Sequence, residues 1–595
     1  MFFQVDEKSK IHGGNLVAAV LKAHGVREVF TLCGGHISPI LVAIENIGID
    51  VFDTRHEATA VFAADAVARL RQSIGVTVVT AGPGLTNAIT ALKNAHMAES
   101  PVVLLCGAAP TLLRNRGALQ DIDQIALVRS ACKFCARITR LKDIIPTLKQ
   151  AICIAQSDTP GPVFLEFPVD VIYPYNIVTK EMNFIKESKT IKQSIINTYL
   201  AINLAHRFGN GWRERDVTPL PVRTPLPSES EIEELSKIIK ESQRPLLILG
   251  SQAITPPVKP AVLIKAVEKL KIPMYLTGTT RGLLGRNSAL QLRHNRKEVL
   301  KNADIIILAG AVCDFRLSYG RALSRKAKII VINRNYSQLT KNRGIFWNGH
   351  LFIQADVAST LVATAQALDS QEFSEKWKKW LDSLMIREKE TTLYNETQAQ
   401  KPFAGGELNP LRVLTALDRS LPDDAILIAD GGDFVGTAAY IVRPRGPLQW
   451  LDPGVFGTLG VGAGFAIGAK RVYPDKPVII IYGDGSCGFS LMEFDTYYRH
   501  KLSIIAIIGN DACWSQIARE QIPILNSSVA VNLIHTRYDQ IAAAMGAIGE
   551  MITKSDEERL EEHFAKAVEL ARLGRSVALN LIIGKTDFRK GSISI

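Results

Sequence analysis

Asp484 and Asp511 stand 27 positions apart, and each sits where a strongly apolar run stops. "IIIYGDGSCGFS" delivers Asp484 between Gly483 and Gly485, and "LSIIAIIGNDACW" delivers Asn510 and Asp511. The plain reading of Gly-Asp-Gly is a tight turn whose Asp caps the next helix. A richer chemistry follows if the two runs are neighbouring strands. Two hard oxygen ligands at one sheet edge hold Mg²⁺, which takes one or two carboxylates and completes its shell with water and phosphate oxygens. The N–H groups of a helix start after Gly485 would face a diphosphate there, and glycine lets it come close.

The elements between the two runs must place them side by side. "FSLMEFDTYYRH" reads as a helix, and a strand–helix–strand unit makes a right-handed crossover between parallel strands. The pattern recurs along the chain, which predicts an α/β protein of three doubly wound parallel-sheet domains. The first spans residues 10–180, with strands such as "VTVVTAGPG" and "PVVLLCGAA". A linker, 181–228, holds "IKQSIINTYLAINLAHRF" and a tail with four prolines from Pro219 to Pro227. The second domain, 229–370, holds "RPLLILGSQ", "ADIIILAGAV" and "AKIIVINRN"; a lysine-rich helical linker, 371–408, leads to the third domain, 409–585. In such sheets ligands bind outside the carboxyl ends of the strands, where Asp484 falls.

At 595 residues the chain exceeds one core. Its net charge of +12 suits a phosphorylated cofactor, coenzyme A, a nucleic acid or an acidic membrane surface. No dense Lys/Arg block with interleaved aromatics stands out, which disfavours nucleic acid. Eight dispersed cysteines suit a reducing compartment, and "CKFC" (Cys132 to Cys135), without a second pair, reads as two ordinary buried thiols. The N-terminus "MFFQVDEKSKIHGG" lacks a signal peptide's apolar core, and no run is long enough to span a bilayer, so the chain as written reads as soluble.

Gly-Asp-Gly, 24 intervening residues and then Asn-Asp resembles the diphosphate motif of thiamine diphosphate enzymes, which usually ends in Asn-Asn. The resemblance implies that Asp484, Asp511 and the backbone carbonyl of Cys513 are metal ligands, with Gly483, Gly485 and Ser486 against the diphosphate. Asp511 replaces the usual Asn; it is still a hard oxygen ligand, and its charge bears on affinity and on preference among divalent ions. In "TRHEATAVFAADAVAR", Glu57 could be a first-turn acid favoured by the helix dipole. The family's acetohydroxyacid synthase branch carries its activating glutamate in such an Arg-His-Glu segment, which implies that Glu57 hydrogen-bonds the aminopyrimidine ring and drives proton loss from the cofactor's C2. "TAGPGLTNAITALKNAHMAESPVVLLCG" resembles the turn whose backbone approaches the ring, here Gly82, Pro83 and Gly84, with Asn87 nearby. "NRGALQDIDQ" resembles the loop that points a glutamine, here Gln120, into the active site. "FGTLGVGAGFAIGAK" places Leu459 where a methionine usually bends the cofactor, and "ADGGDFVG" places Gly431, Gly432 and Asp433 at the diphosphate.

The resemblance covers about residues 10 to 585 as pyrimidine-binding, central and diphosphate-binding domains. It implies a homodimer or homotetramer in which Glu57 and Asp484 serve one cofactor from different subunits. It also implies a nucleotide, ADP or FAD, in the central domain, where Arg316 ("CDFRLSYG") and Asn333 ("VINRN") occupy strand ends and Asn333 replaces a common Asp. "TLCGGHISPI", "NRGALQDIDQ" and "GGDFVGTAA" are most similar to the 2-hydroxyacyl-CoA lyases related to acetolactate synthase. That implies cleavage of the C1–C2 bond of a 2-hydroxy fatty acyl-CoA to a fatty aldehyde and formyl-CoA. Acetolactate synthesis from pyruvate and a non-catalytic scaffold are the alternatives. Members of that branch can be anchored at the endoplasmic reticulum by an N-terminal apolar helix, and this chain begins where such an anchor would end. The C-terminal "GSISI" is not a peroxisomal address. In the first linker, Ile191, Ile195, Tyr199, Ile202 and Leu204 fall near one face at helical spacing. The ordinary expectation is that this face packs on its own domain; the alternative is that it lies on a membrane surface.

Overall fold

A computed structural model describes residues 8–184, 190–368, 371–403 and 405–589. The chain divides into two compact units, Met1–Arg223 and Thr224–Ile595. The first holds one six-stranded sheet, in spatial order Asp50–Asp53, Glu28–Leu32, Gly75–Val79, Val102–Ala108, Val163–Pro168 and Phe134–Arg137. The second holds two. One runs Leu351–Ile353, Lys328–Ile332, Ile305–Ala309, Pro245–Leu249, Met274–Leu276 and Gln291–Leu292; the other runs Trp450–Leu451, Ile426–Ala429, Val478–Gly483, Ile504–Asn510, Val577–Ile582 and Ile548–Ile552. Neighbouring strands are parallel throughout. The expected α/β fold of three doubly wound parallel sheets is what forms.

The strands read as continuous apolar runs because helices cover both faces, and most are buried along their whole length. In chain order, the first and third sheets are wound identically: second, first, third, fourth, sixth and fifth strand. In that order the winding reverses between the first and third strands, which opens a crevice at their carboxyl ends. The central sheet is wound sixth, fifth, fourth, first, second, third, and reverses between its first and fourth strands.

Between Asp484 and Asp511 the crossover departs from one continuous helix. A single turn, Asp484–Cys487, is followed by a separate helix, Glu493–Arg499. Gly485 lies in the single turn and Gly488 in the break after it, and glycine weakens a helix interior by about 1 kcal/mol relative to alanine. The 30-residue helix Gln371–Gln400 is tied to the central sheet where the indoles of Trp377 and Trp380 donate to the carbonyls of Ser242 and Pro245.

The helix Ile191–Phe208 belongs to the first unit. Leu204 and Phe208 join its hydrophobic core, and Phe208 packs edge-on against Tyr175 with centroids 5.0 Å apart. Leu204 therefore lies on the inner face, away from the stripe of Ile191, Ile195, Tyr199 and Ile202, all of which are exposed. Cys132 and Cys135 are half-buried rather than fully buried, and none of the eight cysteines is in a disulfide. Among the described residues, no helix is long and apolar enough to cross a membrane. The terminal "GSISI" and the first seven residues lie outside the described residues.

Candidate functional site

In the first unit, one group of side chains gathers at the carboxyl edge of the sheet. Strand Asp50–Asp53 is followed by Thr54, whose hydroxyl donates to the carbonyl of His56 at 2.9 Å. The His56 imidazole accepts from the Ala58 amide at 3.1 Å and so caps the helix Glu57–Arg71. Glu57 is thereby fixed at the first helical position and is 4% exposed. Its Oε2 accepts from Nδ2 of Asn87, 2.9 Å away on the helix Pro83–Met97. A Cβ on Gly84 would come within 3.5 Å of the other oxygen, Oε1.

Gly82 caps the helix Pro83–Met97 with a φ of 63°, a conformation that suits glycine, and a Cβ there would strike Gln120. The turn thus brings Gly82, Pro83, Gly84, Asn87, Glu57 and Gln120 together. Gln124, which sequence reasoning missed, is the strut beneath it. Its side-chain carbonyl accepts from the Gly82 amide at 2.9 Å, and its amide donates to the Gly107 carbonyl at 3.0 Å. The only signal for it was its place in "LQDIDQ". Gln120 lines a small cavity with Thr111, Arg114, Asp121, Gln124 and Glu166. Burial pushes the Glu166 carboxyl up, opposed by the Arg137 guanidinium beside it.

The second group lies in the third sheet. Register pairs Gly483 with Gly509, so Asp484 and Asn510–Asp511 leave the sheet at one edge. Asp484 is buried; its Oδ1 accepts from the Gly485 amide at 2.7 Å and its Oδ2 from the Cys513 amide at 3.2 Å. Asn510 turns inward, donating to the Thr536 carbonyl and to Asn580, which leaves the edge to Asp511. Burial raises the Asp484 carboxyl above its ordinary value, against the nearby backbone amides. Asp511 is pushed up to about 7, first by burial and then by the charge of Asp484, while the Ser515 hydroxyl, 2.5 Å away, holds it down. A buried carboxylate that raises a second, half-buried one beside it makes a donor set a hard divalent cation would relieve. Cys513 is held beside Asp484 through its amide, and the local bridge to Asn532 runs through Trp514 N–H to Val531 and Leu533 N–H to Ala512. Among the described residues no group of three or more acidic, His or Cys side chains could hold a metal, so the remaining ligands would come from backbone and phosphate.

The turns after the first and third strands of this sheet touch. A Cβ on Gly483 would come within 3.2 Å of the Gly431 carbonyl, and one on Gly431 would strike Leu459 at 2.2 Å. Gly432, at φ 110°, caps the nine-residue helix Asp433–Ile441, which starts beyond the carboxyl end of the first strand, where the crevice opens. The Asp433 carboxylate is not free for a ligand: Arg519 donates to it at 2.6 Å and Arg589 at 3.4 Å. Ser486 is likewise engaged, its hydroxyl closing on the backbone N–H and carbonyl of Gly483. Both residues therefore offer backbone N–H groups rather than side chains. Asp430 also escaped sequence reasoning. It accepts from the Gly460 and Gly462 amides at 2.9 and 2.6 Å, and so fixes Leu459 at the start of the helix Val461–Val472.

In the central sheet, Arg316 is paired with Asp314, and the Asn333 carbonyl oxygen accepts from Gln252 and from the Asn335 amide. At its reversal point a Cβ on Gly250 would lie 2.1 Å from the Gly310 carbonyl.

Three domains of the thiamine pyrophosphate enzymes match this chain: the N-terminal TPP binding domain over residues 11–127, the central domain over 232–364 and the C-terminal TPP binding domain over 430–578. A protein of Caenorhabditis elegans named 2-hydroxyacyl-CoA lyase 2 is 60% identical over 594 residues, covering 100% of this chain and 93% of its own length. The human protein of that name is 51% identical over 595 residues, covering 100% and 94%. Acetolactate synthase large subunit IlvG of Mycobacterium tuberculosis is 30% identical over 561 residues, covering 94% of each.

Proposed function

The chain belongs to the thiamine pyrophosphate enzymes, and from that premise we propose that it is a Mg²⁺-dependent carbon–carbon lyase that cleaves 2-hydroxyacyl-CoA to a fatty aldehyde and formyl-CoA. The observation that carries the choice of reaction is the 60% and 51% identity, over the whole chain, to proteins named as such lyases, against 30% to an acetolactate synthase. Breaking the C1–C2 bond leaves an electron pair on C1 that no side chain here can delocalise; thiamine diphosphate, when bound, supplies that electron sink.

The chain's own residues do the rest. Glu57 holds the proton shared with the cofactor's aminopyrimidine ring through Oε1, because Oε2 is taken by Asn87. The Gly82–Gly84 turn admits the ring, and Leu459 supports it from the other domain type. Asp484, Asp511 and the Cys513 carbonyl would hold Mg²⁺. The amides at the starts of Asp433–Ile441 and Asp484–Cys487 would hold the diphosphate. Gln120, whose amide neither gives nor takes a proton at neutral pH, orients the substrate's hydroxyl.

This reading needs a second copy of the chain, Glu57 of one and Asp484 of the other serving one cofactor. Phe489, Met492, Ile524, Leu525, Val529 and Ile534, on the segments around Asp484 and Asp511, are all exposed and supply apolar surface for that contact. With it we propose association with the endoplasmic reticulum membrane, where long-chain acyl-CoA gathers, and a nucleotide (ADP or FAD) in the central domain near the strand ends of Arg316 and Asn333, checked by acid release and chromatography. The deciding experiment gives purified protein thiamine diphosphate and Mg²⁺ with either 2-hydroxyacyl-CoA or pyruvate. Aldehyde and formyl-CoA support the reading; acetolactate, or no turnover of either substrate, overturns it.

A further inference from the structure

The helix Ile191–Phe208 is apolar on two opposite sides, and among the described residues only one of them is buried. At about 100° per residue, Leu200, Leu204 and Phe208 point into the first unit's core together with Asn197 and Arg207. Arg207 is anchored there by Asp170 at 2.7 Å. Ile191, Ile195, Tyr199 and Ile202 occupy an arc of about 80° on the far side, and are 84%, 66%, 57% and 64% exposed. A helix that needed only to cover its own domain would carry polar side chains on that arc.

Charge identifies what fits. No Asp or Glu occurs between Ile191 and Phe208, while Lys192 borders the exposed arc, His206 lies on it and Arg213 is exposed just beyond the helix. A flat apolar face edged by Lys and Tyr, without acids, is the composition of a helix that lies in a lipid–water interface. A second copy fits less well. Four such side chains offer roughly 500 Å² per copy, about 1,000 Å² in a symmetric pair, the floor for a stable interface. We propose that this outer face is a docking surface for an anionic bilayer, with Ile191, Ile195, Tyr199 and Ile202 seated among the acyl chains and Lys192 and Arg213 at the headgroups.

The inference specifies an element for the membrane contact, and it is tested without substrate, so failure of the lyase assignment would leave it standing. Full-length protein is sedimented with sucrose-loaded phosphatidylserine–phosphatidylcholine vesicles and with phosphatidylcholine vesicles alone. The wild type is expected to pellet with the anionic vesicles, less as salt rises. Ile195→Asp/Tyr199→Asp is expected to bind at least tenfold more weakly while keeping the wild-type melting midpoint, since both side chains point away from the core. Lys192→Glu should weaken binding to anionic vesicles in particular. Wild-type protein left in the supernatant, or equal pelleting of the double variant, overturns the proposal. So does a fall in sedimentation mass caused by the double substitution, which would assign the face to a second copy of the chain.

Discussion

Replacing Glu57 by Gln separates the chemistry of this residue from its structural part. The substitution is nearly isosteric. An amide at this position can keep its oxygen toward Asn87 Nδ2, so the 2.9 Å contact survives as a neutral hydrogen bond, with a loss of at most about 1 kcal/mol. Removing the charge from the first turn of Glu57–Arg71 costs a further 0.3–1 kcal/mol or so. The expected cost in folding is therefore about 1–2 kcal/mol, a shift of a few degrees in the melting midpoint. The cost in turnover is of another size. A positioned acid–base group contributes roughly 10²- to 10⁴-fold, about 3–5 kcal/mol of barrier, and Gln cannot share the proton. The assay is kcat at saturating thiamine diphosphate and Mg²⁺, together with deuterium exchange at the cofactor's C2 followed by NMR. Both should fall at least 100-fold while cofactor affinity changes little. A kcat within tenfold of wild type would remove Glu57 from its role.

Asp484→Ala should raise the dissociation constant for thiamine diphosphate in Mg²⁺ buffer by about 100-fold, near 2.7 kcal/mol, because in the proposed site only Asp511 would be left as a carboxylate ligand; unchanged affinity by calorimetry would refute it. Mixing Asp484→Ala with Glu57→Gln should restore about a quarter of wild-type activity if the two residues serve a site from different copies, and none if they serve it from the same copy. Asp430 bears on stability. Burial pushes it up to about 7 despite the Gly460 and Gly462 amides, and Tyr482, Tyr497 and Cys487, which face it, are held neutral by burial themselves. A carboxyl whose native value is raised adds stability that is complete below its unfolded value of about 3.9 and is lost as pH rises through about 7. Between about pH 4 and 7 the melting midpoint of wild type should therefore fall relative to that of Asp430→Asn; parallel curves would show that Asp430 is ionised throughout.

What could be read from the sequence followed the range of the forces. Strands were legible because burial on both faces demands continuous apolar runs, and Asp484 and Asp511 were legible because one crossover fixes both to one edge. Residues whose roles depend on distant partners were not: the Asn87–Glu57 bond joins two helices, Gln124 reaches back 42 positions to Gly82, and Arg519 and Arg589 meet Asp433 from 86 and 156 positions away. The helix Ile191–Phe208 shows a different limit. Its period was clear, but with apolar residues on both sides the period could not say which side faces the core, and Leu204 was grouped with the wrong one.

The shared winding of the first and third sheets bears on ancestry. After the first strand, one domain has Cys33-Gly34-Gly35-His36 and the other Asp430-Gly431-Gly432-Asp433; after the third strand, one has Gly82-Pro83-Gly84 and the other Gly483-Asp484-Gly485. Gly34-Gly35 and Gly431-Gly432 each begin two residues past the end of the first strand, the glycine pair of the third strand is offset, and the proposed site side chains stand beside them. Divergence between two copies of one ancestral unit would then have required few exchanges, because the backbone course that brings a ligand close was already present in both.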